Sequence, residues 1–203
     1  MRKRIGISCI VLGFACLLIA LGFVVYNKCE AKKGEETSNA LLENVYTNMV
    51  EVQNNTLNET LTEEIQIPVH EKMMTVPAGD YDSIGILSIP VLELELPVLT
   101  EWSYEKLKNA PCLYFGSYYQ PNFVIAAHNY PAHFGGLSRL RAGDLVMFTD
   151  VTGTVYCYEV VLLETLTATA TEDMLNSGFD LSLYTCTPGG SNRVTVRCSR
   201  IRG

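Results

Sequence analysis

Two strand-like runs, 181–186 and 193–198, face each other across Thr187-Pro188-Gly189-Gly190-Ser191-Asn192, and their alternation leaves little choice of local fold. A period of two sends Leu181, Leu183 and Thr185 to one face of the first run and Ser182, Tyr184 and Cys186 to the other. In the second run Val194, Val196 and Cys198 oppose Arg193, Thr195 and Arg197. Leucine and valine claim the core, so the pair reads as a hairpin with one buried face. Cys186 ends one strand and Arg193 opens the next, which leaves a thiol and a fixed cation together outside that core. A cation raises the thiolate fraction of a neighbouring cysteine, and this pairing suits acyl transfer.

The preceding segment carries the same signature. Strands are expected at 122–127, 145–149, 154–163, 180–186 and 193–197, and Leu92, Leu94 and Leu96 alternate with Glu93 and Glu95 in a strand that Pro97 is expected to end at a sheet edge. A short helix is expected at 102–108, and Thr171-Glu172-Asp173-Met174 reads as a capped helical turn inside 165–178. Many short strands with few helices imply a mainly β fold, a small closed barrel.

The N-terminal part is different in kind. Residues 5–26 carry no charge and follow Arg2-Lys3-Arg4, which is enough to span a bilayer at about 20 residues per crossing. No small-residue cleavage site is clear, so an uncleaved signal anchor is the better reading. Lys28, Lys32 and Lys33 blur the charge asymmetry that would orient it. Cys16 after Gly13-Phe14-Ala15 makes a poor lipobox. A polar stretch follows, in which Leu41, Leu42, Val45, Tyr46, Met49 and Val50 recur at helical spacing. That amphipathic helix is expected to pack on the domain rather than to bind a partner. Residues 53–62 read as a flexible tether, and two sequons, at Asn54 and Asn58, are weak signals on their own that a bacterial origin would void. The expected organisation is an anchor at 1–26, a polar tether with an amphipathic helix at 27–80 and a catalytic domain at 81–203. The chain has 203 residues and a net charge of −7, which allows one sizeable core and argues against a nucleic-acid partner.

Of the seven cysteines, Cys9, Cys16 and Cys29 belong to the anchor region, and Cys198 sits on the core face too far along its strand to bridge Cys186. Cys112 and Cys157 remain free to pair with each other, and the odd total leaves at least one thiol unpaired within the chain. His133, five residues past His128, raises a zinc site with Cys186 as an alternative; the spacing is loose and no second close Cys/His pair accompanies it, so no metal is expected and His133 reads as a loop residue near Phe134-Gly135-Gly136. His70 lies in the tether with no evident partner.

Ser182-Leu183-Tyr184-Thr185-Cys186 resembles the Thr-Leu-x-Thr-Cys of the sortases, the membrane-anchored cysteine transpeptidases of Gram-positive bacteria. Asn122-Phe123-Val124-Ile125-Ala126-Ala127-His128-Asn129 resembles the strand that ends in the family's histidine, and Leu137-Ser138-Arg139-Leu140-Arg141-Ala142-Gly143-Asp144 the helix and turn after it. Ile84-Gly85-Ile86-Leu87-Ser88-Ile89-Pro90 through Leu96-Pro97-Val98 is similar to the opening hairpin, so the likeness runs in order from about residue 81 to 200. Ser182 replaces the usual threonine, Ala127 a frequent glycine, and the short turn between Cys186 and Arg193 fits none of the subclass patterns.

The resemblance implies an eight-stranded sortase barrel in which 165–178 is the loop between the family's sixth and seventh strands, shaping the sorting-signal groove. It implies Cys186 as nucleophile, His128 as proton carrier and Arg193 as the group that holds the substrate backbone or the oxyanion, a term worth roughly 3 to 4 kcal/mol for a lost donor elsewhere. It also implies that only a minority of molecules carry the thiolate and imidazolium together. The expected reaction is cleavage of a Leu-Pro-x-Thr-Gly type signal, a thioester on Cys186, and transfer of a surface protein to an amine, either of the peptidoglycan precursor or of a pilin lysine. Polymerising pilin sortases commonly carry an N-terminal lid and a second membrane segment, and the chain stops at Gly203 just past the last strand, so wall anchoring is the expectation preferred over pilus assembly. Some sortases bind calcium beside the substrate loop; Glu164, Glu172 and Asp173 are the candidates here, although loop acids are more often simply solvated. A catalytically idle, membrane-tethered scaffold that binds surface proteins is the alternative from another class.

Overall fold

The computed structural model describes residues 2–60 and 73–202. A single long helix, α1 (Arg2–Thr60), leads into nine strands: β1 (Val76–Ala78), β2 (Tyr81–Ile89), β3 (Leu94–Leu99), β4 (Cys112–Phe115), β5 (Phe123–Ala126), β6 (Leu145–Asp150), β7 (Val155–Thr167), β8 (Leu181–Cys186) and β9 (Asn192–Arg200). A five-residue helix, α2 (Thr171–Leu175), interrupts the path from β7 to β8. The sheet order β1-β2-β3-β4-β5-β8-β9-β7-β6 closes through β2–β6, making an eight-stranded barrel with β1 as an added N-terminal strand. The mainly β, closed-barrel fold expected from the sequence is the one observed.

Eight strands enclose just enough room for side chains. Phe123, Ile125, Leu181, Leu183, Val196, Phe148 and Tyr118 fill it. Closure depends on β2 pairing on both edges, with β3 and with β6. Gly85 sits at a bulge there with φ of 147°, and a Cβ on it would lie 2.1 Å from the Thr149 carbonyl, so only glycine lets β6 approach.

β3 continues through Pro97 to Leu99 instead of ending there. Apart from the Leu99–Cys112 bridge to β4, its far side is unpaired, so the missing N–H leaves no ladder partner wanting. The helix expected at 102–108 is only the 3₁₀ turn Lys106–Lys108. β7 is longer than expected and runs on to Thr167 alongside β9.

α1 is continuous from the apolar stretch into the polar one, where no proline stops propagation. Residues 53–60, read as tether, continue the helix; 61–72, with His70, lie outside the described residues. Leu41, Val45 and Met49 are buried against Val76, Ala78, Ile86 and Leu99 on the outer surface of the barrel. Asn48 donates to the Pro77 carbonyl at 2.8 Å, and the Tyr46 hydroxyl donates to Glu95. The amphipathic helix thus packs on the domain, as its periodicity suggested.

Candidate active site

β8 lies between β5, parallel to it, and β9, antiparallel to it. The β8–β9 register puts Cys186 directly opposite Arg193, about 5 Å apart at the Cα atoms. The β5–β8 register pairs Ala126 with Tyr184, and the Ala127 N–H donates onward to the Tyr184 carbonyl at 3.2 Å. The Thr185 hydroxyl then donates to the Ala127 carbonyl at 2.8 Å, so continuing the register by two residues sets His128 level with Cys186. Extended in this way, the register brings His128, Cys186 and Arg193 into one row at the ends of three adjacent strands. Ala126 and Tyr184 pack in the outer cluster, two residues short of the row, which fixes that row on the outer face.

Local chemistry holds each end of the row. The β8–β9 turn has Gly189 and Gly190 at φ of 85° and 75°, a region other residues avoid, and the Gly190 N–H donates to the Thr187 carbonyl at 2.8 Å. Arg193 Nη1 donates to the carbonyls of Gly190 (3.0 Å) and Asn192 (3.1 Å), which draws the guanidinium over the turn. Burial holds the His128 imidazole below its usual pKa; Glu30 of α1 opposes this and Lys108 adds to it. His128 stacks on Tyr130, with ring centres 4.8 Å apart at 26°.

His133 is fully buried, ahead of the 3₁₀ turn Phe134–Arg139, with its ring 5.4 Å from that of Tyr130. Burial and the neighbouring His128 push its pKa down to about 4, with a backbone contact to Gly34 pulling the other way. Neither of its nitrogens finds a partner at full hydrogen-bonding geometry. Among the described residues no three His, Cys, Asp or Glu side chains gather as a metal site would need. Glu164 accepts from Arg197 Nε at 2.7 Å, and Glu172 accepts from Asn176. Asp173 offers Arg197 only its backbone carbonyl, at 2.7 Å from Nη2.

Arg197 shares the outer face with Arg193 and has a different position in the fold. It is 1% exposed, donates to Ser182 Oγ at 2.8 Å, and ties α2 to the barrel through the Asp173 and Met174 carbonyls. Beside Arg193 a cleft of about 180 Å³ is lined by Trp102, Tyr114, Thr167, Met174 and Tyr184. Trp102 meets Tyr114 edge-on at 5.8 Å and Tyr114 meets Tyr184 at 5.2 Å, forming an aromatic wall. Sequence reading missed this wall because it missed β4. The signal open to sequence reading was Trp102, the single tryptophan, and in the structure it stays 37% exposed, as aromatics at contact surfaces do. Tyr130, two residues after His128, was overlooked for lack of any local pattern.

The six cysteines described, Cys16, Cys29, Cys112, Cys157, Cys186 and Cys198, are free, so Cys112 and Cys157 do not pair. Burial pushes the thiols of Cys112 and Cys198 up to about 12, which makes both inert at neutral pH. Cys186 is half-buried at the rim.

Comparison with known proteins fits this geometry. A search of curated proteins finds no match. Among solved structures, a sortase D5 transpeptidase from Clostridium perfringens superposes with a TM-score of 0.60 at 19% identity, covering 82% of this chain and 99% of that one. Sortase A from Corynebacterium diphtheriae gives a TM-score of 0.56 at 18% identity, covering 83% and 95%. Sortase C from Clostridium perfringens, solved with the C-terminal cell wall sorting motif, gives 0.54 at 21% identity, covering 83% and 91%. These identities speak for the fold alone, and the three neighbours named come from three different sortase classes. The sequence itself matches the Sortase domain family over residues 87–201, more than half of the chain, and so it belongs to the sortases, a family of cysteine transpeptidases.

Proposed function

We propose that this sortase cleaves a C-terminal sorting signal of the Leu-Pro-x-Thr-Gly type through a thioester on Cys186. The row of His128, Cys186 and Arg193 across three neighbouring strand ends is the observation that carries the reading. Cys186 passes its thiol proton to His128 and its Sγ attacks the scissile carbonyl, the C–N bond breaks, and His128 gives that proton to the leaving amine. An acceptor amine then attacks the thioester, His128 takes a proton back, and the thiol is restored. Arg193 faces the carbonyl oxygen as charge develops on it. Burial of His128 favours the neutral imidazole at rest, which agrees with a minority population of the thiolate–imidazolium pair.

The aromatic cleft beside Arg193 suits the leucine and proline of such a signal, and a related sortase C has been solved with a sorting motif. α1 holds a stretch long and apolar enough to cross a membrane, and its large apolar residues from Ile10 to Tyr26 are each more than half exposed. We read it as a single-pass anchor in a Gram-positive cell membrane with the barrel outside, and the acceptor as the peptidoglycan precursor in preference to a pilin lysine. The test is mass-spectrometric trapping of an acyl-enzyme with a sorting peptide. The wild type is expected to gain the acyl fragment at Cys186 and the folded Cys186→Ala variant to gain none. A folded wild type that binds the peptide without acylation is instead an idle scaffold.

A further inference from the structure

We propose that Tyr130, backed by Gly34 of α1, is a positioning residue that sets the orientation of the His128 imidazole. His128 lies two residues beyond the paired part of β5, so the ladder does not hold its ring, which is left to other contacts. Tyr130 is in place to do so, with its ring stacked on the imidazole at 4.8 Å. The loop that carries both is stiff. The Tyr130 carbonyl accepts from the N–H groups of His133 and Gly135 at 2.9 Å each, and the His128 carbonyl accepts from Phe134 N–H at 3.0 Å.

The tyrosine is held in turn by the helix. A Cβ on Gly34 would stand 3.1 Å from Tyr130 Cδ2 and Cε2 and 2.7 Å from the Lys108 carbonyl, so α1 reaches this spot only because position 34 has no side chain. Glycine inside a helix weakens it, and here close packing explains its presence. One turn earlier Glu30 pairs with Lys108 Nζ at 3.1 Å and fastens the helix to the same place. The buried His133 ring, which also meets the Gly34 backbone, bounds the tyrosine. The groups that act on the imidazole are thus Glu30 from α1, Lys108 from its 3₁₀ turn, and Tyr130 and His133 from its own loop. None of them reacts in the proposed step.

The proposal rests on His128 being the proton carrier, so the experiment reads the two ideas separately. Full-length protein in detergent micelles is compared as wild type, Tyr130→Phe, Tyr130→Leu, Gly34→Ala and His128→Ala. The readouts are kcat and KM for a sorting peptide and an NMR titration of the His128 ring. Losing alignment of a proton carrier lowers kcat by about 10-fold or more, because small misplacements of a reacting group are this costly. Tyr130→Leu and Gly34→Ala are expected to show that loss at unchanged KM, with the His128 titration moved up toward that of an exposed histidine, while Tyr130→Phe keeps wild-type values. Wild-type turnover and titration in folded Tyr130→Leu, with His128→Ala inactive, overturn the positioning role alone. Tyr130→Phe as damaged as Tyr130→Leu overturns stacking as its cause. An active His128→Ala overturns the proton carrier itself, whatever the titration shows.

Discussion

His133 shows how far a residue's surroundings decide its behaviour. Its folded pKa of about 4 lies below the ordinary histidine value of 6.5, so protonation favours the unfolded chain. Stability is therefore full above pH 6.5, declines as pH falls through the window from 6.5 to 4, and stays low beneath it. A shift of this size corresponds to about 3 kcal/mol. His133→Phe keeps an aromatic ring without the titration. Its melting temperature is expected to fall less than that of the wild type between pH 7 and pH 4.5, and parallel curves would show that His133 is solvated after all. Little near His133 in sequence announces its burial, because besides Tyr130 it meets the backbone of Gly34 in α1, about a hundred positions away. Cys186 and Arg193 were legible for the opposite reason: alternation and one short turn are local, and they suffice to put both on the same side of a hairpin.

At the level of elements, β8, β9 and α2 form one unit with two arginines in unlike positions. Arg193→Lys keeps the charge and loses the planar fork, so kcat for a fluorogenic sorting peptide is expected to drop while the melting temperature holds. Arg197→Ala leaves Glu164, Ser182 and two α2 carbonyls without their donor, at a stability loss of about 3 kcal/mol. Because α2 supplies Met174 to the aromatic cleft, KM is expected to rise more than kcat falls. The reverse pattern, with Arg197→Ala losing kcat and keeping its fold, would move the oxyanion role to Arg197. The strands read from alternation all exist, with ends displaced by a few residues. β4 escaped notice since Cys112-Leu113-Tyr114-Phe115 has no polar alternation, and β1 since three residues carry too little pattern. The α2 turn was visible in its Thr-Glu-Asp opening; its fastening to Arg197 was not, for that contact joins segments that only the closed barrel brings together.

The whole molecule is a barrel with its own helix laid against it. Leu41, Val45 and Met49 cover apolar outer-face residues that would otherwise meet water. Burial of three such side chains stabilises by on the order of 5 kcal/mol. A chain begun at residue 73 is therefore expected to melt about 15 °C below one begun at residue 27 and to associate more readily through the uncovered patch. Equal melting temperatures in a calorimeter would mean that the helix rests on the barrel without stabilising it. The continuity of α1 also sets a distance. From Tyr26, where the apolar stretch ends, to Gly34, which abuts Tyr130, there are two turns of helix and no joint, a rise of about 12 Å. With the apolar stretch in a bilayer, the chemistry sits at one height above the lipid and cannot swing outward. Under the anchored reading proposed above, such an enzyme measures its customers: a cleavage point that rides just clear of the surface is within reach, and one carried further out on a longer stalk is not.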